Sequence, residues 1–181
     1  MTTDENLAAG ARNLLVNCAQ LKAGDRILIV QEDPALGWYD RDAPLALGNE
    51  AEAMGMVAAY LDVGGPEDEE SSLKADRAAD DQDCVIYMAR IGDLDRFAPG
   101  ADDKIRVMCY ARTADQLASA YGQTHHDAML GLKEAVNDIL LGADRIDVSC
   151  PLGTSFLCEI SDRARESGDV AVRRFPMGVP Q

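Results

Sequence analysis

The sequence predicts an α/β fold: a mainly parallel sheet flanked by helices and ending in an antiparallel β element. Three observations carry that expectation. Short apolar runs rich in β-branched residues, such as Arg26-Ile-Leu-Ile-Val-Gln31 and Cys84-Val-Ile-Tyr-Met-Ala89, have the composition of strands buried on both faces. They alternate with helical segments of roughly ten or more residues, the pattern of βαβ units and a parallel sheet. The last strands follow one another without helices, which suits an antiparallel finish or a separate small β element.

Each element has its own reason. Leu7, Ala8, Ala11, Leu14, Leu15, Cys18 and Leu21 recur at helical spacing, so residues 4–21 read as an amphipathic helix closed by Lys22-Ala-Gly-Asp25. The first strand, 26–31, follows. Residues 40–55 are helical by composition and stop at Gly55, and 56–63 form the second strand. Gly64-Gly-Pro-Glu-Asp-Glu-Glu70 is the clear break, giving a linker near 64–71. A short helix over 72–80 is entered through Ser71 or Ser72. Strands at 84–89 and 104–110 enclose an irregular loop or a single helical turn over 92–99. Thr113 caps a helix to Tyr121, and Thr124 caps another through His125 to about Leu141. Strands at 145–149, 154–160 and 170–173 complete a Rossmann-like plan, divided as an α/β domain over 1–142 and a terminal β element over 143–181.

Composition removes several function classes. Thirty-two acidic against seventeen basic residues give a net charge of −15, which repels nucleic-acid backbones and anionic lipid. No run of about eighteen apolar residues exists to form a membrane span. The acidic, polar start, Met1-Thr-Thr-Asp-Glu-Asn6, lacks the basic n-region of a signal peptide, and a cytoplasmic location is expected. Five cysteines at 18, 84, 109, 150 and 158 form no C-x-x-C pair and read as small buried hydrophobes in a reducing compartment.

Candidate chemistry is sparse. The first strand runs into Gln31-Glu-Asp-Pro34, glycine-free and acidic, where a dinucleotide site needs a Gly-rich turn. A Walker A loop is absent as well. His125 and His126 are adjacent; neighbouring side chains on a helix diverge by about 100°, so they do not share one metal, and a surface or cap-region role is preferred. Glu32, Asp33, Asp40 and Asp42 follow the first strand, where a hard cation could bind, but solvated loop acids are the preferred reading. Trp38 in the same loop lines a pocket or, more commonly for such a residue, packs over the sheet edge. Ser149, Gly153, Thr154 and Ser155 bracket a strand-to-strand turn. With no histidine base beside them they suit a tight structural turn, with positive φ at Gly153, better than a serine nucleophile.

These landmarks, taken in order, resemble the aminopeptidase T-like metallopeptidase superfamily, which includes the 2,5-dihydroxypyridine 5,6-dioxygenases. The opening "ARNLLVNCAQLKAGDRILIVQED" is similar to its first helix, Lys-x-Gly-(Asp/Glu) turn and first strand. "NEAEAMGMVAAYLDV" resembles its second helix and strand, "YARTADQLASAY" its Arg112-x-x-x-x-Leu117 stretch, and "RIDVSCPLGTSFLCEIS" its strand–Pro-x-Gly-Thr–strand signature. The likeness covers essentially all of the chain, as the N-terminal half of such an enzyme. Ser155 stands where peptidase members often carry an acid, and Val179 follows Gly178 where they tend to have a metal-binding glutamate; the hydrophobic residue resembles the dioxygenase branch more closely.

The resemblance implies a support and substrate-cleft domain of a metal-dependent enzyme, with Arg112, Ser149, Gly153 and Thr154 facing a small-molecule or peptide substrate. It implies no catalytic residue and no metal ligand on this chain, and a divalent metal of the zinc or iron class held by a C-terminal half. The alternative is a free-standing, non-catalytic binding or interaction module. The apolar end, Val170-Ala-Val172 and Phe175-Pro-Met-Gly-Val179, is expected to leave Phe175, Met177 and Val179 exposed and in need of that half or of a second copy.

Overall fold

The computed structural model describes residues 3–94, 104–167 and 177–180. It contains the expected α/β arrangement: a five-stranded, mostly parallel sheet with flanking helices and one antiparallel strand at an edge. The chain divides into two compact units, Met1–Asp127 with Met177–Gln181, and Ala128–Pro176.

In the first unit, helix α1 (Thr3–Arg12) continues as a wider π-helical stretch over Asn13–Cys18, buried through Leu14, Leu15 and Cys18. It stops three residues before the expected Leu21 because Gln20 takes a left-handed φ of 57°. Strand β1 (Arg26–Glu32) is buried at every position but the first. Helix α2 (Asp42–Ala53) ends at Gly55, whose φ of +82° only glycine adopts without strain. Strand β2 (Val57–Val63) pairs with β1 in parallel, Gln31 opposite Asp62 and Glu32 opposite Val63.

Helix α3 (Glu69–Ala79) starts earlier than expected. Its cap is Asp68, whose carboxylate accepts from the Glu70 amide, while Ser71 is buried and donates its hydroxyl to Asp68. A competing acidic cap hidden in a charged run explains the shift. Strands β3 (Cys84–Met88) and β4 (Ile105–Cys109) follow, giving the sheet order β2-β1-β3-β4 before the last strand is added. Thr113 caps as expected, but the helix behind it breaks into α4 (Ala114–Leu117) and α5 (Ala120–Gln123), with Ser119 extended between them. The Leu117 carbonyl lies so close to Gly10 and Gly122 that a Cβ at either would collide with it.

Two corrections concern the chain end and the cysteines. Met177 is buried in the core, and β7 (Gly178–Pro180) pairs antiparallel with β4, so Met177 and half-buried Val179 are covered within the fold. Gly178 permits this, because a Cβ there would stand 2.5 Å from Leu14 Cδ1 and 2.7 Å from Cys18 Sγ. Phe175 and the expected strand at 170–173 lie outside the described residues. Cys18, Cys84 and Cys109 are buried as expected, whereas Cys150 and Cys158 are exposed.

The second unit holds most of α6 (His126–Gly142), the hairpin β5 (Arg145–Ser149) and β6 (Ser155–Glu159), and α7 (Asp162–Glu166). The Arg165 guanidinium donates to the Leu141 and Ala143 carbonyls at 3.1 and 2.7 Å, satisfying acceptors at the C-terminal end of α6. Among the described residues, no helix is long and apolar enough to cross a membrane.

Candidate functional site

The sheet order places a change of winding direction between β1 and β3, and open α/β sheets bind ligands outside the carboxyl ends of the strands at such a point. Glu32 closes β1 there and Arg90 follows β3. The Glu32 side chain is wholly buried, and it accepts from the Arg90 backbone N–H and from Arg90 Nε, each at 2.7 Å. The reading of Glu32 as a solvated loop acid is therefore overturned: a charge-assisted pair of hydrogen bonds compensates its desolvation.

Trp38 stands over this pair. The Arg90 guanidinium lies 4.8 Å from the indole centre, and that of Arg112, beyond β4, lies 5.1 Å from it, both within cation–π range. Trp38 is 44% exposed, so it is neither buried packing nor free. Asp40 holds the two loops together: its N–H donates to the Arg112 carbonyl at 2.9 Å, and its carboxylate accepts from Ala43 and Ala114 amides at the starts of α2 and α4. The Arg112 amide donates to Gln116 Oε1 at 2.7 Å, and Tyr39 donates its hydroxyl to the Cys109 carbonyl at 3.2 Å. Burial pushes the Tyr39 phenol above its ordinary range.

Beside Arg90, at the ends of β1 and β2, an open pocket of 480 Å³ is lined by acids, among them Asp33, Asp62, Glu67 and Asp68, with Arg41 between. These acids have internal partners. Asp62 pairs with Arg41 at 2.6 Å, Asp33 caps the turn at Pro34–Leu36, and Asp68 caps α3, its pKa held down chiefly by the Ser71 hydroxyl. Gln31, buried, donates to Asp62, while its Oε1 has no partner among the described residues.

Of the residues expected to face substrate, Arg112 belongs to the first unit, and Ser149, Gly153 and Thr154 belong to one exposed hairpin turn of the second. In that turn the Cys150 amide donates to the Thr154 carbonyl at 2.8 Å and the Gly153 amide to the Cys150 carbonyl at 2.9 Å, with Gly153 at a φ of +103°. His125 is exposed and His126 is buried at the start of α6, its amide donating to Asn13 Oδ1 at 3.2 Å. Among the described residues no three His, Cys, Asp or Glu side chains converge as a metal site. The sequence reading missed Arg90 and its link to Trp38; the signal was an arginine directly after the third strand, where the crevice opens.

No protein-family model matches the chain, and no curated protein matches it. Its fold is similar to the solved structure of a 2,5-dihydroxypyridine dioxygenase from Pseudomonas putida KT2440, with a TM-score of 0.52 at 10% sequence identity. The likeness covers 89% of this chain and 48% of that one, so the chain spans about half the length of the dioxygenase and shares its fold over that half.

Proposed function

We propose that this chain is the support and substrate-cleft domain of a metal-dependent enzyme, of the dihydroxypyridine-type ring-cleaving dioxygenase kind or the related aminopeptidase T-like kind, with the metal held elsewhere. The observation behind this reading is the shared fold over 89% of the chain and only 48% of the dioxygenase. A half-length match fits a domain that shapes a cleft while a second polypeptide segment brings a zinc- or iron-class metal. The arrangement of Arg112, Trp38 and Arg90 at the carboxyl edge of the sheet supports a small-molecule or peptide substrate there, and Ser149, Gly153 and Thr154, in the hairpin turn of the second unit, are proposed separately as substrate-contacting residues.

The test is co-expression of the chain with whatever the coding region beyond codon 181, or its immediate neighbour, encodes. A histidine- and glutamate-rich partner that co-purifies, carries about one metal per complex and consumes a dihydroxylated heteroaromatic or a peptide supports the reading. A neighbouring region lacking such a segment, together with no metal-dependent turnover of either substrate, would sink it.

A further inference from the structure

The two arginines over Trp38 differ in one respect. Arg90 is neutralised by buried Glu32, and Glu67 stands 3.9 Å from its Nη2. The exposed Arg112 guanidinium lies over the indole and, among the described residues, forms no ion pair within 4 Å. An arginine with no ion pair of its own leaves its guanidinium edge open to an anionic ligand.

It is also held in place. Both backbone polar groups of Arg112 are used, the amide to Gln116 and the carbonyl to Asp40, and Asp40 in turn ties down the loop carrying Trp38. The backbone segments that carry the guanidinium and the indole are therefore held by hydrogen bonds that do not depend on the Arg112 side chain. A single free guanidinium fork matches a carboxylate bidentately, and the exposed part of the indole offers a surface on which a planar ring stacks. A phosphate fits less well, because its higher charge would meet a single guanidinium in a chain of net charge −15.

We propose that Arg112 and Trp38 form a subsite for a planar aromatic carboxylate, Arg112 binding the carboxylate and Trp38 the ring. This names the substrate class of the cleft and so rests on the substrate-cleft reading above. Arg90 is a positioning residue: anchored by Glu32, it stands over the indole and leaves Arg112 to the ligand.

Trp38 is the only tryptophan, so its fluorescence reports on this place alone. Titration of the full chain with benzoate should shift or quench its emission saturably. The neutral isostere benzamide, and acetate, which lacks the ring, should each bind about ten-fold more weakly, as should benzoate to Arg112→Gln, the loss of one charged hydrogen-bonding pair. Arg112→Lys should fall between, since it keeps the charge and loses the fork. Inorganic phosphate should not compete. Equal responses to benzoate and benzamide on the unmodified chain would overturn the subsite, as would an Arg112→Gln chain with native circular dichroism and unchanged benzoate affinity. Failure here with a co-purifying, active metal-bearing partner would leave the domain reading standing; benzoate binding without any such partner would do the reverse.

Discussion

The Glu32 carboxylate receives two hydrogen bonds from one residue, the backbone N–H and the Nε of Arg90, both at 2.7 Å, and so ties the carboxyl ends of β1 and β3 together. With its own side chain wholly buried and that of Arg90 26% exposed, the carboxylate is the member that water cannot reach. Glu32→Ala should therefore lower stability by about 2–4 kcal/mol in urea unfolding, because the Arg90 amide and part of its guanidinium lose their acceptor. It should also change Trp38 emission, since Arg90 is released from the indole. A loss below about 0.5 kcal/mol would place the pair among surface ion pairs instead.

Asn13 is a second polar hub, and all its capacity is used. Its Nδ2 donates to the Gly122 and Thr124 carbonyls at 2.7 and 2.8 Å, and its Oδ1 accepts from Asn17 and from the His126 amide. Asn13→Leu, close in volume, strands those carbonyls and should cost about 2–4 kcal/mol. Hydrogen exchange at the His126 amide should quicken in parallel; unchanged exchange there would show that the bond contributes nothing.

Glycines separate crowding from backbone conformation. At Gly10 a Cβ collides with the Leu117 carbonyl, which belongs to the backbone and cannot rotate aside, so Gly10→Ala should destabilise by about 2 kcal/mol or more. At Gly153 nothing lies within 4 Å of a Cβ, yet φ is +103°. Gly153→Val should cost roughly 1–3 kcal/mol from strain alone, read as faster exchange across β5 and β6. At Gly131 in α6 a Cβ meets nothing within 4 Å, and Gly131→Ala should stabilise by about 0.5–1 kcal/mol. Equal melting shifts for the three would refute this ordering.

The cysteines make a prediction about reactivity. Burial pushes the Cys18, Cys84 and Cys109 thiols up to about 12, leaving almost no thiolate at pH 8, while Cys150 and Cys158 are exposed. Iodoacetamide on the native chain should label the peptides holding Cys150 and Cys158, and the other three only in denaturant. Native labelling of Cys84 at a comparable rate would show that β3 opens.

Local pattern was enough for the elements. Apolar β-branched runs, the glycine at 55 and the Thr113 cap located four parallel strands, the helices between them and the hairpin turn at Gly153, because each is dictated by a period or a backbone preference acting within a few residues. Asp68 escaped that reading because several acids and serines in one short run can all cap a helix, and only the path of the chain chooses among them.

What joins distant residues was decided by the tertiary structure alone. Glu32, Trp38, Arg90 and Arg112 are spread over eighty positions of sequence and meet because a parallel sheet brings every strand's carboxyl end to one edge. The same holds for the chain end: Met177–Pro180 reads as an unfinished apolar surface in one dimension, yet Met177 packs in the core and β7 pairs with β4. Sequence determines which segments are apolar and how they are periodic. Burial, and with it the charge state, pairing and exposure of each functional group, depends on neighbours that only the folded chain supplies.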